Sequence, residues 1–336
     1  HSPVLPRPWW GEPRTALYRD KMNYTQRFYQ GETDYTAMRR LIADSYKLAA
    51  PHSYMLLGDL DWWRALLPEP DTFLPTIPLW FAGDTLAGFL WPRPGNGEIF
   101  LHPHHRAAEP QMLAYAEQHL RTPATAADPA VLTLVSLESD TRRNELLAAH
   151  GFVRTDGFLA SHIFDLGKPI PTPRLPAGFA FRDMAGGLST AELEARVNVH
   201  RAAFHPSKVT AATYNAARSS ASFRPDLDLV VVAPNGDFAA YCTIWFEPEN
   251  RVGLYEPVGC HPDYQRRGLG KAALHEGLHR LRELGAVRAH VGSWQDNSAG
   301  ALLYKAAGFQ LIDRFYDWRK TYPAADPDTG PAEGAT

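Results

Sequence analysis

The residues between Val258 and Lys271 have the types and spacing of an anion-binding loop. They read Val-Gly-Cys-His-Pro-Asp-Tyr-Gln-Arg-Arg-Gly-Leu-Gly-Lys. The run from Arg251 to Val258 has strand character, and Leu269 to Leu284 has helical periodicity, so the glycines lie where a strand passes into a helix. A helix start carries unpaired N–H groups and the positive end of the helix dipole. A phosphate can therefore bind there without a dedicated side chain.

The side chains of this loop favour the same ligand. Gly268 and Gly270 have no Cβ atom, which lets a ligand approach the backbone closely. Arg266, Arg267 and Lys271 add positive charge. The loop is therefore predicted to hold a phosphate group.

Two motifs carry a resemblance to a known family. Gln265-Arg-Arg-Gly268-Leu-Gly270 resembles the Gln/Arg-x-x-Gly-x-Gly/Ala signature with which the GNAT superfamily of N-acetyltransferases holds the pyrophosphate of acetyl-CoA. The stretch from Asn297 to Phe309 is similar to the family's Asn-x-x-Ala-x-x-Leu-Tyr-x-x-x-Gly-Phe, with Gly300 where the family usually has alanine. The resemblance implies an enzyme that transfers the acetyl group of acetyl-CoA directly to a primary amine of a small molecule or peptide. The alternative is a non-catalytic acyl-CoA-binding sensor or partner-binding module.

The resemblance also implies which residues contact acetyl-CoA. The backbone of Val258 to Cys260 would pair with the pantetheine arm as an added strand does, N–H groups from Arg266 to Lys271 would hold the pyrophosphate, and Asn297 would make a further contact. The predicted cofactor-binding residues are Val258, Gly259, Cys260, Gln265, Arg266, Arg267, Gly268, Leu269, Gly270, Lys271 and Asn297.

Two residues are predicted to be catalytic. By family precedent Tyr304 would protonate the leaving thiolate, and the alternative is an aromatic side chain of the core. Glu256 is the candidate base. Side chains alternate along a strand, so Glu256 is expected on the same face as Leu254 and Val258, upstream of the pantetheine-binding stretch. It would otherwise be a structural acid, with ordered water taking the proton, and Glu247 is the reserve candidate.

Other reactive side chains are given less weight. A covalent role for Cys260 is disfavoured, because it lies in the stretch assigned to the cofactor. The cluster of His102, His104 and His105 is interpreted as a solvated turn, and no metal site is predicted. Four residues are expected to border the acceptor cleft or to belong to the core: His200, His205, Tyr214 and Trp245.

An internal repeat predicts the architecture. His102-Pro103 corresponds to His261-Pro262, and Gly151-Phe152 corresponds to Gly308-Phe309. We therefore expect an α/β fold of two tandem GNAT-like domains, each a central mixed sheet flanked by helices. The expected divisions are a degenerate N-terminal domain at 1–166, a proline-rich linker at 167–177, an acetyl-CoA-binding domain at 178–322 and a disordered tail at 323–336.

The first copy lacks the signatures of the second. Arg106 to Gln111 contains no glycine and places Glu109 where a phosphate would lie, and Leu147 takes the position of Tyr304. We expect no cofactor in this half and a structural role for it.

Composition excludes several classes of function. The 336 residues are 45% hydrophobic and 21% charged, as in soluble globular proteins of two domains. A formal net charge of -3 gives no basic excess for nucleic acid or an anionic membrane. The 2 cysteines fit a reducing cytoplasm, and no apolar run has the length of a membrane span. A monomer or homodimer is expected.

Overall fold

The computed structural model describes residues 23–125, 128–186, 188–295 and 298–322. Residues 1–22, at the start of the predicted N-terminal domain, and the predicted tail at 323–336 lie outside these residues. The described strands are β1 Tyr24–Phe28, β2 Pro78–Ala82, β3 Thr85–Arg93, β4 Asn96–Leu101, β5 Ala130–Leu137, β6 Val153–Asp165, β7 Ala180–Asp183, β8 Asp228–Val232, β9 Phe238–Glu247, β10 Val252–Cys260, β11 Arg288–Trp294 and β12 Gln310–Tyr322. The described helices are α1 Glu32–Ala49, α2 Leu57–Ala65, α3 Pro70–Phe73, α4 Glu109–His119, α5 Thr141–Ala149, α6 Thr190–Ala203, α7 Ala211–Arg218, α8 Leu269–Glu283 and α9 Ala299–Ala306.

Local sequence explains where the helices near the candidate site begin. Ser189 caps α6 with its side chain, and Glu192 completes a capping box. Ser298 caps α9 by accepting a hydrogen bond from the backbone N–H of Ala301 at 3.1 Å. Helix α8 begins after Gly268, whose φ of 80° lies in the left-handed region that favours glycine.

The chain forms two compact units. Among the described residues, the first comprises 23–41, 75–158 and 315–322, and the second comprises 42–74 and 159–314. These boundaries differ from the predicted division at 167–177, because residues 42–74 belong to the second unit and 315–322 belong to the first. The predicted linker contains no helix or strand.

Each unit has a mixed sheet of the same topology. In the first, the strand order is β1-β2-β3-β4-β5-β12; in the second, it is β7-β8-β9-β10-β11-β6. The β4·β5 and β10·β11 pairs are parallel, and the other neighbouring strands within each unit are antiparallel. The expected α/β fold with mixed sheets is confirmed.

The last strand of each repeat completes the other unit. In the first unit, residues 315–322 of β12 pair with β5, from Phe315 opposite Leu137 to Tyr322 opposite Ala130. In the second unit, residues 159–165 of β6 pair with β11, from Leu159 opposite Trp294 to Asp165 opposite Arg288. The sequence repeat did not predict this exchange.

The core of the second unit lies between its sheet and α8. Leu274, Leu278 and Leu281 are fully buried on one face of this helix, as its periodicity predicts. Gly253 of β10 faces Leu281 so closely that a Cβ atom would lie 2.4 Å from its Cδ1. Among the described residues, no helix is long and apolar enough to cross a membrane.

Candidate active site

Strand β10, which precedes the glycine loop, contains a β-bulge at Glu256 and Pro257. Tyr255 pairs with Ile244 of β9, and the next pair is Val258 with Cys242. Two residues of β10 therefore stand opposite one residue of β9. A bulge of this kind interrupts the alternation of side chains and bends the strand.

The bulge changes which residues share a face of β10. Leu254 packs in a cluster with Trp62 and Trp245, whereas Val258 packs against the cluster that contains Tyr255. An extra residue moves the later side chains to the opposite face. The prediction that Val258 shares a face with Leu254 and Glu256 is therefore wrong.

Past the bulge, the described residues pair with β10 on one edge only. It pairs in parallel with β11 from Val252 opposite Arg288 to Tyr255 opposite Val291. Within the described residues, the segment from Val258 to Cys260 pairs with β9 alone. The other edge is open to an extended ligand, which would bind there as an added strand does.

Glu256 lies at the bulge with a strongly shifted pKa. Part of its side chain reaches solvent, yet burial raises the pKa of its carboxyl to about 8, and the negative charge of Asp59 adds to the shift. Asp59 is at the start of α2, where its carboxylate accepts a hydrogen bond from the backbone N–H of Leu56 at 2.8 Å. Burial likewise raises the pKa of Asp59 to about 6. A carboxyl that titrates near neutral pH is suited to general base catalysis.

An indole N–H fixes the backbone at the bulge. Trp245 donates its Nε1–H to the carbonyl oxygen of Glu256 at 2.6 Å. The indole is held by α2, since a Cβ atom on Gly58 would lie 2.3 Å from its Cγ. Glycine at position 58 is thus required for the close packing of α2 on Trp245.

Tyr304 lies on α9 with its side chain almost wholly buried. Its ring is 6.1 Å from that of Phe309 and 6.0 Å from that of His162. Burial raises the pKa of its phenol, and the negative charge of Glu256 raises that pKa further. The phenol is therefore neutral at physiological pH and keeps a proton to donate. Because Glu256 acts on it electrostatically, the structure brings the two predicted catalytic residues into one neighbourhood.

The glycine loop has the backbone geometry of an anion site. Arg266 and Gly268 both have positive φ, at 60° and 80°. Gly268 precedes the first turn of α8 and supplies no side-chain cap, and nothing lies within 4 Å of the position of its missing Cβ. The start of α8 therefore has no cap from Gly268 and has free space beside that residue, as phosphate binding requires.

The side chains of the loop surround this opening with positive charge. Arg266, Arg267 and Lys271 are exposed, and Arg267 lies over the ring of Tyr264 at 5.4 Å. Gln265 donates a long hydrogen bond of 3.4 Å to the carbonyl of Cys260, while Leu269 is buried and anchors the helix start. The predicted contact Asn297 lies outside the described residues.

The competing nucleophile and the reserve base are less suited to the chemistry. Burial raises the pKa of the Cys260 thiol to about 11, so it is protonated at neutral pH. Glu247 is buried, pairs with Val252 at the start of β10, and accepts a hydrogen bond from Asn250 at 2.5 Å. Glu256 is closer to the open edge of β10 than Glu247 is.

Of the side chains expected near the acceptor, Trp245 contacts Glu256. Tyr214 donates a hydrogen bond to Asp228, which is paired in the interior with Arg196. His200 lies 2.6 Å from the Tyr241 hydroxyl, and burial lowers its pKa to about 4. These contacts are structural.

The sequence prediction missed Gly58 and Asp59, which are separated from Glu256 by about two hundred positions in the printed sequence. The signal available in the sequence was Gly58 beside Asp59, in the first turn of a short helix that contains Trp62 and Trp63.

An internal ion cluster lies at the matching place in the first unit. Glu109, the first residue of α4, is buried between Arg106 at 2.9 Å and Arg143 at 2.5 Å. Arg106 also pairs with Asp140 at 2.8 Å. A carboxylate of the chain itself thus lies at this helix start.

In the same unit, the His102 ring accepts a hydrogen bond from the N–H of His104 at 3.2 Å. The described residues contain no group of three or more His, Cys, Asp or Glu placed to hold a metal.

Comparison with known sequences gives relatives in one family. The profile of the acetyltransferase (GNAT) family matches residues 194–309. A mycothiol acetyltransferase of Kineococcus radiotolerans is 30% identical over 226 residues, which cover 64% of this chain and 68% of the relative. One from Streptomyces coelicolor is 30% identical over 145 residues, and the match spans less than half of its length, 46%.

Solved structures share the fold at low identity. A GCN5-related N-acetyltransferase from Sphaerobacter thermophilus superposes with a TM-score of 0.60 at 20% identity, covering 90% of this chain and 97% of that one. A tandem GNAT protein from the clavulanic acid biosynthesis pathway superposes with a TM-score of 0.61 at 17% identity, covering 90% and 100%.

Proposed function

Because the chain belongs to the GNAT acetyltransferase family and is an acyltransferase, we propose that its second unit transfers the acetyl group of acetyl-CoA directly to a primary amine. The acceptor in this proposal is a small molecule or a peptide N-terminus. One observation carries the proposal: a titratable carboxyl, Glu256, and a neutral phenol, Tyr304, lie in one neighbourhood beside the open edge of β10.

The glycine loop and the open edge of β10 fit two parts of acetyl-CoA, the pyrophosphate and the pantetheine arm. The start of α8, which Gly268 leaves without a side-chain cap, and the charges of Arg266, Arg267 and Lys271 suit the pyrophosphate. The open edge from Val258 to Cys260 suits the pantetheine arm, whose amides pair with a strand edge. The cosubstrate supplies the activated acetyl group as a thioester.

At neutral pH both groups have the protonation states that the proposed proton transfers need. Glu256, ionised in part near neutral pH, takes a proton from the acceptor ammonium so that the neutral amine is the nucleophile. Tyr304 keeps its proton until the thiolate leaves and then donates it. The thiol of Cys260 is not required, which agrees with direct transfer.

The proposal is tested by thiol release from acetyl-CoA with a panel of amines: aminoglycosides, polyamines, amino acids, short peptides and amino sugars. Gly268→Glu is the blank, since its carboxylate enters the open space of the loop and repels phosphate. Tyr304→Phe should bind acetyl-CoA as the wild type does and turn over about 10²- to 10⁴-fold more slowly.

Equal turnover in Tyr304→Phe would remove this residue as the acid. Unchanged acetyl-CoA affinity in Gly268→Glu would show that the loop is not the phosphate site. Acetyl-CoA binding without thiol release for the whole panel would favour the sensor function instead.

A further inference from the structure

His162 lies on β6, the strand that the first repeat contributes to the sheet of the second unit. It is opposite Val291 of β11, and on the other edge of β11 Val291 is opposite Tyr255 of β10. The described pairing of β10 with β11 ends at Tyr255, and Glu256 follows directly. A residue of the first repeat therefore lies in the row of the sheet next to the proposed catalytic base.

The His162 side chain is on the face of the sheet that carries Tyr304. Residues directly opposite one another on neighbouring strands project to the same face, so His162 shares a face with Val291. Val291 belongs to the buried cluster that contains Tyr304. The centroids of the His162 and Tyr304 rings are 6.0 Å apart, and the ring planes are inclined at 59°. With 5% of His162 exposed, the imidazole is a buried aromatic neighbour of the predicted acid.

Helix α9 leaves part of the task of orienting the Tyr304 ring to other elements. Gly300 lies one turn before Tyr304, at a spacing at which helix side chains contact each other. A Cβ atom there would lie 3.6 Å from Cε2 of Tyr304, an ordinary van der Waals contact, and glycine does without it. Two aromatic neighbours of the ring come from outside the helix: His162 of β6 and Phe309, whose centroid is 6.1 Å away.

Proton donation by Tyr304 depends on where its ring points. The phenolic oxygen is at the end of the ring axis, so a change in ring orientation displaces the O–H donor. Proton transfer needs donor and acceptor atoms about 2.6 to 3.2 Å apart. A displacement of about 1 Å is therefore enough to slow the chemical step.

We propose that His162 positions the Tyr304 phenol for proton donation to the leaving thiolate. The proposal rests on the proposed function, because it takes Tyr304 as the acid. The proton passes from the Tyr304 oxygen to the sulfur of coenzyme A, and the imidazole acts by ring contact without exchanging a proton. Aromatic pairs at about this separation attract each other with a preferred geometry. The first repeat, which lacks both signatures, thereby contributes a side chain to the site of the second.

The test measures initial rates of thiol release by variants of the full chain, with an acceptor from the amine panel. In His162→Ala we expect kcat to fall about 3- to 10-fold as the ring contact is lost, with the KM for acetyl-CoA unchanged. His162→Phe keeps a ring at this position and should restore most of the wild-type kcat. His162→Leu fills the volume without a ring and should be as slow as His162→Ala, which covers the case in which the alanine variant does not fold.

A double-mutant cycle shows whether His162 acts through the phenol. Tyr304→Phe removes the proton, so the orientation of the ring no longer matters. The double variant of His162→Ala with Tyr304→Phe should therefore have the kcat of Tyr304→Phe alone. Ile163→Ala is the matched control, because Ile163 is the next residue of β6, is equally buried at 6% exposure and projects to the opposite face. It should lose stability in urea unfolding and keep the wild-type kcat.

The outcomes separate this proposal from the proposed function. Wild-type kcat in His162→Ala or His162→Leu would overturn it. An equal loss from His162→Ala with and without the Tyr304 hydroxyl would also overturn it, because His162 would then act by another route. A His162→Phe variant as slow as His162→Ala would exclude positioning by ring contact. Wild-type turnover in Tyr304→Phe, or no thiol release by the wild type, would instead refute the proposed function, and this proposal with it.

Discussion

The pKa of Glu256 gives the proposed reaction a definite pH dependence. With a pKa of about 8, roughly a tenth of the carboxyl is ionised at pH 7 and roughly nine tenths at pH 9. If Glu256 is the base, kcat/KM should rise about tenfold over this interval. Glu256→Gln removes the base and should lower kcat/KM by about 10²- to 10⁴-fold.

The variant Asp59→Asn distinguishes the titration of Glu256 from that of the acceptor amine, because both contribute to the pH dependence of kcat/KM. The asparagine amide oxygen can still accept the hydrogen bond from Leu56, so α2 keeps its capped start. Loss of the negative charge should move the pKa of Glu256 down, and with it the rise in kcat/KM. The acceptor amine is common to both enzymes, so a difference between their pH profiles reports the protein.

The assay is initial-rate thiol release from pH 6 to 9.5 at constant ionic strength, with an acceptor from the amine panel. Groups on several elements act in this neighbourhood: Asp59 on α2, Tyr241 on β9 and Tyr304 on α9. Superimposable profiles for the wild type, Asp59→Asn and Glu256→Gln would refute the assignment of Glu256, since the pH dependence would then belong to the acceptor.

Three further predictions concern stability and positioning. The free energy of unfolding should fall between pH 4.5 and about 8, because the folded state holds the Glu256 proton more tightly than the unfolded chain does. In denaturant titrations over this pH range, the unfolding free energy of Glu256→Gln should decrease less with pH than that of the wild type. Trp245→Phe removes the donor to the Glu256 carbonyl, and should cost about 1 kcal/mol of stability and lower kcat without changing coenzyme A affinity. Glu109→Ala leaves Arg106 and Arg143 without that buried partner and should cost about 3 to 5 kcal/mol in urea unfolding, again without changing coenzyme A affinity. A loss below 1 kcal/mol would contradict the last prediction.

Local patterns in the sequence predicted the parts of the site that local geometry determines. The positive φ at Gly268 and the helix that follows it depend on a few neighbouring residues, and so does the capped start of α9 before Tyr304. The mixed sheets followed from the repeat and from the family resemblance.

The sequence could not predict what depends on pairing between distant residues. The bulge at Glu256 is defined by its register against β9, and alternation alone places Val258 on the wrong face. Asp59 affects the pKa of Glu256 across a long sequence separation, and its helix packs on Trp245 where Gly58 allows a close approach. The exchange of β6 and β12 leaves no mark in either repeat, because each strand keeps the pattern of its own copy.

That exchange has a consequence for how the protein is made. A ribosome synthesises residues 75–158 early, yet β5 waits for its neighbour until residues 315–322 have emerged. The first unit therefore completes its sheet only after nearly all the described chain has been translated. A gene cut at the proline-rich linker would give two products that each lack a strand of their own sheet. The repeats in the sequence therefore do not coincide with the units that complete each sheet.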